Sequence, residues 1–258
     1  MSLLNVQGLG KSFGGNRAVD GISFQVARGE LLALIGPNGA GKSTTFNMVN
    51  GQLAADSGSV QLDGHELRGL KPRQIWQRGV GRTFQIAETF ASLTVVENVQ
   101  MALLSADGLV FALWRRAAAH KRAQALALLD QVGMAAQADR PCSVLAYGDV
   151  KRVELAIAMA NAPKLLLMDE PTAGMGPQER NALMALTKRL VVERQLAVLF
   201  TEHSMDVVFA YADRCIVLAR GRLIAEGTPT QIRDNPQVQA VYFGSGKTFE
   251  KTAAEVSA

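Results

Sequence analysis

The sequence predicts an α/β fold, a core of mostly parallel strands with a helical subdomain inserted into it. Three observations predict it. A glycine-rich loop at residues 36–43, GPNGAGKS, stands between an apolar run and a helix-compatible stretch. A second apolar run, 165–168, ends in the adjacent acids Asp169 and Glu170. Between them, from about Ala87 to Asp139, the composition becomes rich in Ala, Leu, Gln and Arg, with no clear strand.

The elements follow in order. Residues 3–6 and 22–26 alternate partially and read as short strands, separated by a Gly14-Gly15-Asn16 turn. Residues 30–35 form a short apolar run suited to a buried parallel strand. A helix is expected over 43–49, a turn at Asp56-Ser57-Gly58 and a strand over 59–62. Within the helical subdomain, 115–129 reads as a helix. The core resumes near residue 144 with a helix to Ala160, a strand at 164–168, a helix at 178–194 and a strand at 197–200. A short helix, a strand at 214–219, a turn at Arg220-Gly221 and a strand through Ala225 complete it. The resulting division is one domain over 1–244, with core segments 3–86 and 144–243 and a helical subdomain at 87–143. A polar, alanine-rich tail follows at 245–258. No internal repeat is present in the sequence.

At 258 residues, 48% hydrophobic and 19% charged, the composition is that of an ordinary globular protein with a proper core. The longest apolar runs fall far short of the roughly 18 residues that span a bilayer. The N-terminus lacks the charged-then-apolar layout of a signal peptide, so a cytoplasmic location is expected. Cys142 and Cys215 are isolated, without metal-type spacing, which suits a reducing compartment. A net charge of +4 fits a plain solvated surface, and no nucleic-acid partner is expected.

The loop at 36–43 satisfies G-x-x-x-x-G-K-[ST] through Gly36, Gly41, Lys42 and Ser43, with an extra Gly39. Glycines let the backbone curl around an anion with its N–H groups inward, and a helix N-terminus adds partial positive charge. Gly36, Pro37, Asn38, Gly39, Ala40, Gly41, Lys42, Ser43 and Thr44 are therefore the candidate cradle for a nucleoside triphosphate. Lys42 would neutralise the β- and γ-phosphates and Ser43 would hold Mg²⁺. A buried strand that delivers Asp169 and Glu170 at its C-terminal end supplies what a nucleotide site in a parallel sheet requires. Asp169 would reach the Mg²⁺ through a water, and Glu170 would polarise the attacking water. Gly148, inside 145–149 (LAYGD), opens a further helical pattern and offers a second anion-binding N-terminus. A phosphate-loop enzyme working alone needs one such terminus; a protein that takes one from each of two subunits uses both.

With these motifs the chain resembles the ATP-binding subunits of ABC transporters over about residues 3–243. The resemblance implies a P-loop NTPase core of the ABC type: a mixed sheet, an antiparallel β subdomain and an inserted helical subdomain. It places Phe13 where the family stacks an aromatic on adenine. Gln85, in Arg82-Thr83-Phe84-Gln85, falls at the glutamine that senses Mg²⁺ and couples to the membrane subunit. Leu145, Ala146, Tyr147 and Gly148 match the signature loop that binds the ATP held by a second subunit. His203 matches the switch histidine that contacts the γ-phosphate beside the catalytic Glu170 and Lys42. The implied cofactors are ATP and Mg²⁺, the latter near Ser43, Gln85 and Asp169. The implied assembly is a head-to-tail dimer, with a second copy or a paralogous subunit, closed by ATP and opened after hydrolysis. It would dock peripherally on integral membrane permeases, served indirectly by a periplasmic substrate-binding protein. Phe90, Leu93 and Val96 are candidates for the docking groove and equally for ordinary core positions.

The signature departs from the family's common Leu-Ser-Gly-Gly-Gln. Ala146 removes a hydroxyl donor, a loss on the order of 1 kcal/mol or about fivefold. Tyr147 replaces a glycine. Asp149 replaces the glutamine, and either faces the phosphate or turns away. The loop after Glu170, Pro-Thr-Ala-Gly-Met-Gly, lacks the aspartate many relatives carry. Leu-Ala-Tyr-Gly at 145–148, Asp-Glu-Pro-Thr-Ala-Gly at 169–174, Thr-Glu-His at 201–203 and the stretches 226–229 and 235–244 are similar to the branched-chain amino acid uptake ATPases. The resemblance implies the motor of an importer for branched-chain or related hydrophobic amino acids. Urea importers and lipopolysaccharide exporters are the close alternatives, and a soluble ATPase acting on nucleic acid or ribosomes the distant one. A regulator that barely hydrolyses ATP is disfavoured by Glu170 and His203 together.

Overall fold

The computed structural model describes residues 2–84, 89–107 and 121–243. Two sheets stack against each other. The first is antiparallel: β1 (Ser2–Phe13), β2 (Asn16–Ala27), β4 (Ser57–Leu62) and β5 (His65–Glu66), in the order β2-β1-β4-β5. The second is mixed, in the order β10-β9-β3-β8-β7-β6. Its parallel strands are β3 (Leu31–Ile35), β6 (Val80–Thr83), β7 (Leu165–Asp169), β8 (Ala197–Thr201) and β9 (Arg214–Ala219). β10 (Arg222–Gly227) runs antiparallel at its edge.

Strands β3 and β8 are buried at every residue, so their side chains alternate between two cores rather than between core and water. Leu31, Ala33, Ile35, Leu166, Met168, Val198 and Phe200 face one core, completed by helices. Leu32, Leu34, Leu165, Leu167, Ala197 and Leu199 face the other, which holds Leu4, Val6 and Val26 of the antiparallel sheet and Phe46 of α1 (Lys42–Val49). This double burial is why the three central strands read clearly as apolar runs. β1 and β2 run to twelve residues each, well beyond the short strands expected. Repeated register shifts between them, after Val6, Leu9 and Lys11, break the alternation that a sequence reading relies on. The turn joining them is Gly14-Gly15 alone, because Asn16 already pairs with Phe13.

α2 (Pro72–Gln77) and β6 carry no prior expectation. They are six and four residues long, too short to present a period, although Pro72 at the helix start and Gly79 before the strand mark their ends. The region expected to be helical contains α3 (Val95–Ala106) and α4 (Arg122–Gln131). α3 opens on a reciprocal cap, with the Thr94 N–H donating to Glu97 Oε2 at 2.8 Å and the Glu97 N–H to Thr94 Oγ1 at 3.3 Å. The helix expected at 115–129 falls partly on residues outside the description and otherwise on α4, which extends two residues further. α3 and α4 pack with α5 (Tyr147–Ala158) through Val95, Val99, Leu129 and Val153, all fully buried. α6 (Pro177–Arg194), α7 (Met205–Tyr211), α8 (Pro229–Arg233) and α9 (Pro236–Phe243) follow. The tail expected after residue 244 lies outside the described residues.

Candidate active site

Parallel strands present their C-terminal ends along one edge of the sheet, and the glycine loop, Asp169, Glu170 and His203 stand there, at or after the ends of β3, β7 and β8. β3 ends at Ile35 and the chain enters the glycine loop. Gly36 (φ 152°) and Gly41 (φ 105°) hold conformations that favour glycine. Space excludes larger residues as well: a Cβ on Gly36 would lie 2.2 Å from the Leu218 carbonyl oxygen, and one on Gly41 2.5 Å from that of Ala18. Gly39 (φ 78°) has open space around it. Gly41 is the N-cap of α1 and offers no side-chain acceptor, which leaves the first-turn N–H groups to an incoming anion. Gly41→Ala is therefore expected to weaken ATP binding by about tenfold or more in a nucleotide titration. Gly39→Ala, which meets no neighbour, should lose less, and equal affinities for parent and Gly41→Ala would refute the steric account.

Lys42 is buried. Its Nζ donates to the Gly36 carbonyl at 2.7 Å and the Pro37 carbonyl at 3.2 Å. Burial pulls its ammonium below the usual lysine range, opposed by the charges of Glu170 and Asp169. The loop thus holds its own cation in place, on carbonyls that a phosphate can replace.

β7 and β8 pair in register with Asp169 opposite Thr201. The Thr201 hydroxyl donates to Asp169 Oδ1 at 2.7 Å and accepts the Glu170 N–H at 3.0 Å. Arg82 of β6 approaches Asp169 Oδ2 at 3.6 Å. Glu170 takes a left-handed backbone (φ 46°), uncommon for a residue with a side chain. That conformation accompanies a Glu170 Oε1 placed 2.7 Å from His203 Nε2. An ionised carboxylate only accepts, so Nε2 carries the proton in this contact. Glu202, between Thr201 and His203, is buried and accepts from the Thr172 N–H at 3.0 Å and the Thr172 hydroxyl at 2.6 Å.

A cavity of about 550 Å³ is lined by Asn38 to Thr44, Phe13, Arg17, Glu170, His203 and Arg220. Phe13 stands at its rim, 52% exposed, with Lys11 Nζ 5.6 Å from the ring centre. None of the described residues 145–148 lines it. Ala146 instead caps α5, Tyr147 is exposed, and Gly148 is buried where a Cβ would come within 3.1 Å of Glu179 Oε1 at the start of α6. Asp149 accepts a hydrogen bond from Gln137 Nε2 at 3.1 Å, which ties its carboxylate to a neighbouring turn. Gln85 lies outside the described residues. Val96 is fully buried and belongs to the core, which removes it from a docking groove. Leu93 is half-buried and Phe90 is 59% exposed.

Among the described residues no group of three or more His, Cys, Asp or Glu side chains could hold a metal unaided. The Ser43 hydroxyl and the Asp169 carboxylate are hard oxygen donors of the kind Mg²⁺ takes in addition to water and substrate phosphates, so the residues fit that ion. Sequence reasoning gives Thr201, Glu202 and Arg82 no role of their own, naming them only within the stretches 201–203 and 82–85. Their roles arise from strand adjacency, and the one local signal is the polar triplet Thr201-Glu202-His203 directly after a buried run.

Comparisons with known proteins give the family. The family model described as ABC transporter matches residues 19–173, and that described as branched-chain amino acid ATP-binding cassette transporter matches residues 222–248. The high-affinity branched-chain amino acid transport ATP-binding protein BraF of Pseudomonas aeruginosa is 39% identical over 249 residues, covering 94% of this chain and 98% of its own. LivG of Escherichia coli, of the same description, gives the same identity and coverage. The lipopolysaccharide export system ATP-binding protein LptB of Haemophilus influenzae is 34% identical over 95% of this chain and 98% of its own. Among solved structures, the ADP conformation of MJ1267, an ATP-binding cassette of an ABC transporter, superposes with a TM-score of 0.85 at 29% identity. The match covers 95% of this chain and 100% of that one.

Proposed function

The chain belongs to the ABC transporter family of ATP-binding subunits, and from that premise we propose that it powers a membrane importer for branched-chain or related hydrophobic amino acids. The observation that carries the reading is the cavity in which the phosphate loop, Lys42, Glu170 and His203 converge while residues 145–148 lie elsewhere. One chain holds half of a site, and a head-to-tail partner, a second copy or a paralogous subunit, supplies the Gly148 half. No helix among the described residues is long and apolar enough to cross a membrane. In this reading separate permeases form the pathway, with a periplasmic binding protein delivering substrate to them. The segment 87–143 is the lobe that meets the permeases, with Phe90 at its surface and Gln85 at its entry.

The chemistry follows from the side chains. Phe13 stacks on adenine, and the N–H groups of residues 38–44 take the phosphates. Lys42 moves from the Gly36 and Pro37 carbonyls to the β- and γ-phosphates. Ser43 and Asp169, with Gln85, would hold Mg²⁺, which would supply positive charge against the phosphates. Glu170 accepts the proton of the attacking water. His203 exchanges its contact with Glu170 for the γ-phosphate, which frees the carboxylate to act as base.

In a strain lacking this chain, ATP-dependent leucine uptake is expected to fall to background. The parent chain should restore it and Lys42→Ala should not. Unchanged leucine uptake alongside lost lipopolysaccharide export or urea uptake would reassign the cargo. A purified chain without ATPase activity, alone or with its permeases, would end the motor reading.

A further inference from the structure

We infer that Thr201 is a positioning residue for ATP hydrolysis: its one hydroxyl fixes the Asp169 carboxylate and the Glu170 backbone at the same time. The inference rests on the motor reading above and adds to it a role for Thr201, which the sequence marks only as part of the stretch 201–203.

Three consecutive residues leaving β8 reach across to the turn that leaves β7. Thr201 holds Asp169 and Glu170, Glu202 holds Thr172, and His203 holds the Glu170 carboxylate. Thr201 differs from the other two because it touches both neighbouring acids through a single oxygen. It is 1% exposed, so the hydroxyl has no water to compete for it. Its O–H donates to Asp169 Oδ1, which orients the other oxygen, Oδ2, and its lone pair accepts the Glu170 N–H. That second bond is made by a peptide in the left-handed region, a conformation uncommon for a residue with a Cβ. An apolar residue at 201 would satisfy the strand and the core equally well. It would leave the Glu170 N–H without its acceptor and Asp169 Oδ1 without its donor, with Arg82 near Oδ2 as the remaining contact. A carboxylate that must hold a metal and another that must meet a water are both sensitive to displacements of this size.

Thr201→Val removes the hydroxyl and keeps the shape, whereas Thr201→Ser keeps the hydroxyl. Steady-state ATPase assays and Mn²⁺ binding in the presence of a non-hydrolysable ATP analogue, followed by the free-ion paramagnetic signal, read the two arms. For Thr201→Val, kcat is expected to fall about tenfold or more with the ATP KM little changed, and Mn²⁺ affinity to fall several-fold. Thr201→Ser should keep kcat within about threefold of the parent. A folded Val variant with kcat within about twofold of the parent overturns the inference. So does equal loss in folded Val and Ser variants, since the hydroxyl would not be the cause. If the Val protein does not accumulate, Thr201→Ala takes its place in the same comparison with Ser. The parent chain separates the two readings: no hydrolysis there defeats the motor, whereas an active parent with an unaffected Val variant defeats only the role of Thr201.

Discussion

Glu170→Gln is expected to lower ATP turnover by about 10²- to 10⁴-fold while leaving nucleotide binding intact, so that the variant accumulates as an ATP-bound dimer. The substitution deletes the proton acceptor and little else. The amide oxygen that replaces the carboxylate can still accept from His203 Nε2, which Glu170 Oε1 meets at 2.7 Å in the parent. The backbone bond from residue 170 to Thr201 Oγ1 is untouched by a side-chain change. Lys42 and the glycine cradle remain, and ATP binds there as before. Dimerisation should then appear in light scattering as a doubling of mass on adding MgATP, persisting for hours where the parent returns to monomer. Phosphate release measured on the same samples gives the rate. Undiminished turnover would remove Glu170 as the base. Lost turnover without an ATP-dependent mass increase would instead remove the composite site, because the partner's Gly148 loop is what the trapped ATP is meant to hold.

How much of this is legible in the sequence depends on where each residue's constraint comes from. The phosphate loop is legible because its glycines recur at fixed spacing, yet the reasons lie far away in the chain. Gly36 is confined by the Leu218 carbonyl of β9 and Gly41 by the Ala18 carbonyl of β2. β3, β7 and β8 are legible because burial on both faces turns them into unbroken apolar runs. β1 and β2 read too short because register shifts interrupt their alternation, and α2 and β6 are too brief to show a period. Glu170 stands out at the end of its apolar strand, whereas His203 is placed by resemblance; their 2.7 Å contact brings together residues thirty-three apart in sequence. Asp149 has two open orientations in the sequence. The partner that decides between them is Gln137, a glutamine with nothing in its sequence surroundings to mark it. The roles of Thr201 and Glu202 are invisible for the same reason. A threonine or glutamate at a strand end becomes informative only when the neighbouring strand is known.

The second large effect concerns a pair that no motif contains. Lys151 and Glu154 lie one turn apart on α5, each 3% exposed, and their charged groups meet at 3.1 Å. Between them they hold the main chain of Phe84, one residue beyond β6. Lys151 Nζ donates to the Phe84 carbonyl at 2.5 Å, and the Phe84 N–H donates to Glu154 Oε1 at 2.6 Å. The strand end and the helix that begins at Tyr147 are therefore joined through both hydrogen-bonding groups of one peptide residue. Removing one partner of a buried ion pair leaves an uncompensated charge, which costs about 3–5 kcal/mol. Lys151→Met, which preserves the apolar stem, is expected to destabilise the fold by that amount in urea denaturation. Lys151→Arg, which keeps the charge, should lose far less. A loss below about 1 kcal/mol for Lys151→Met would place the pair among ordinary surface-like ion pairs despite its burial. Phe84 directly precedes Gln85, the residue proposed to couple nucleotide to permease, and α5 begins inside the loop proposed to meet the partner's ATP. If the clamp links those two proposed roles, Lys151→Met proteins that remain folded at low temperature should hydrolyse ATP with less transport per ATP than Lys151→Arg, a ratio that stability alone does not move.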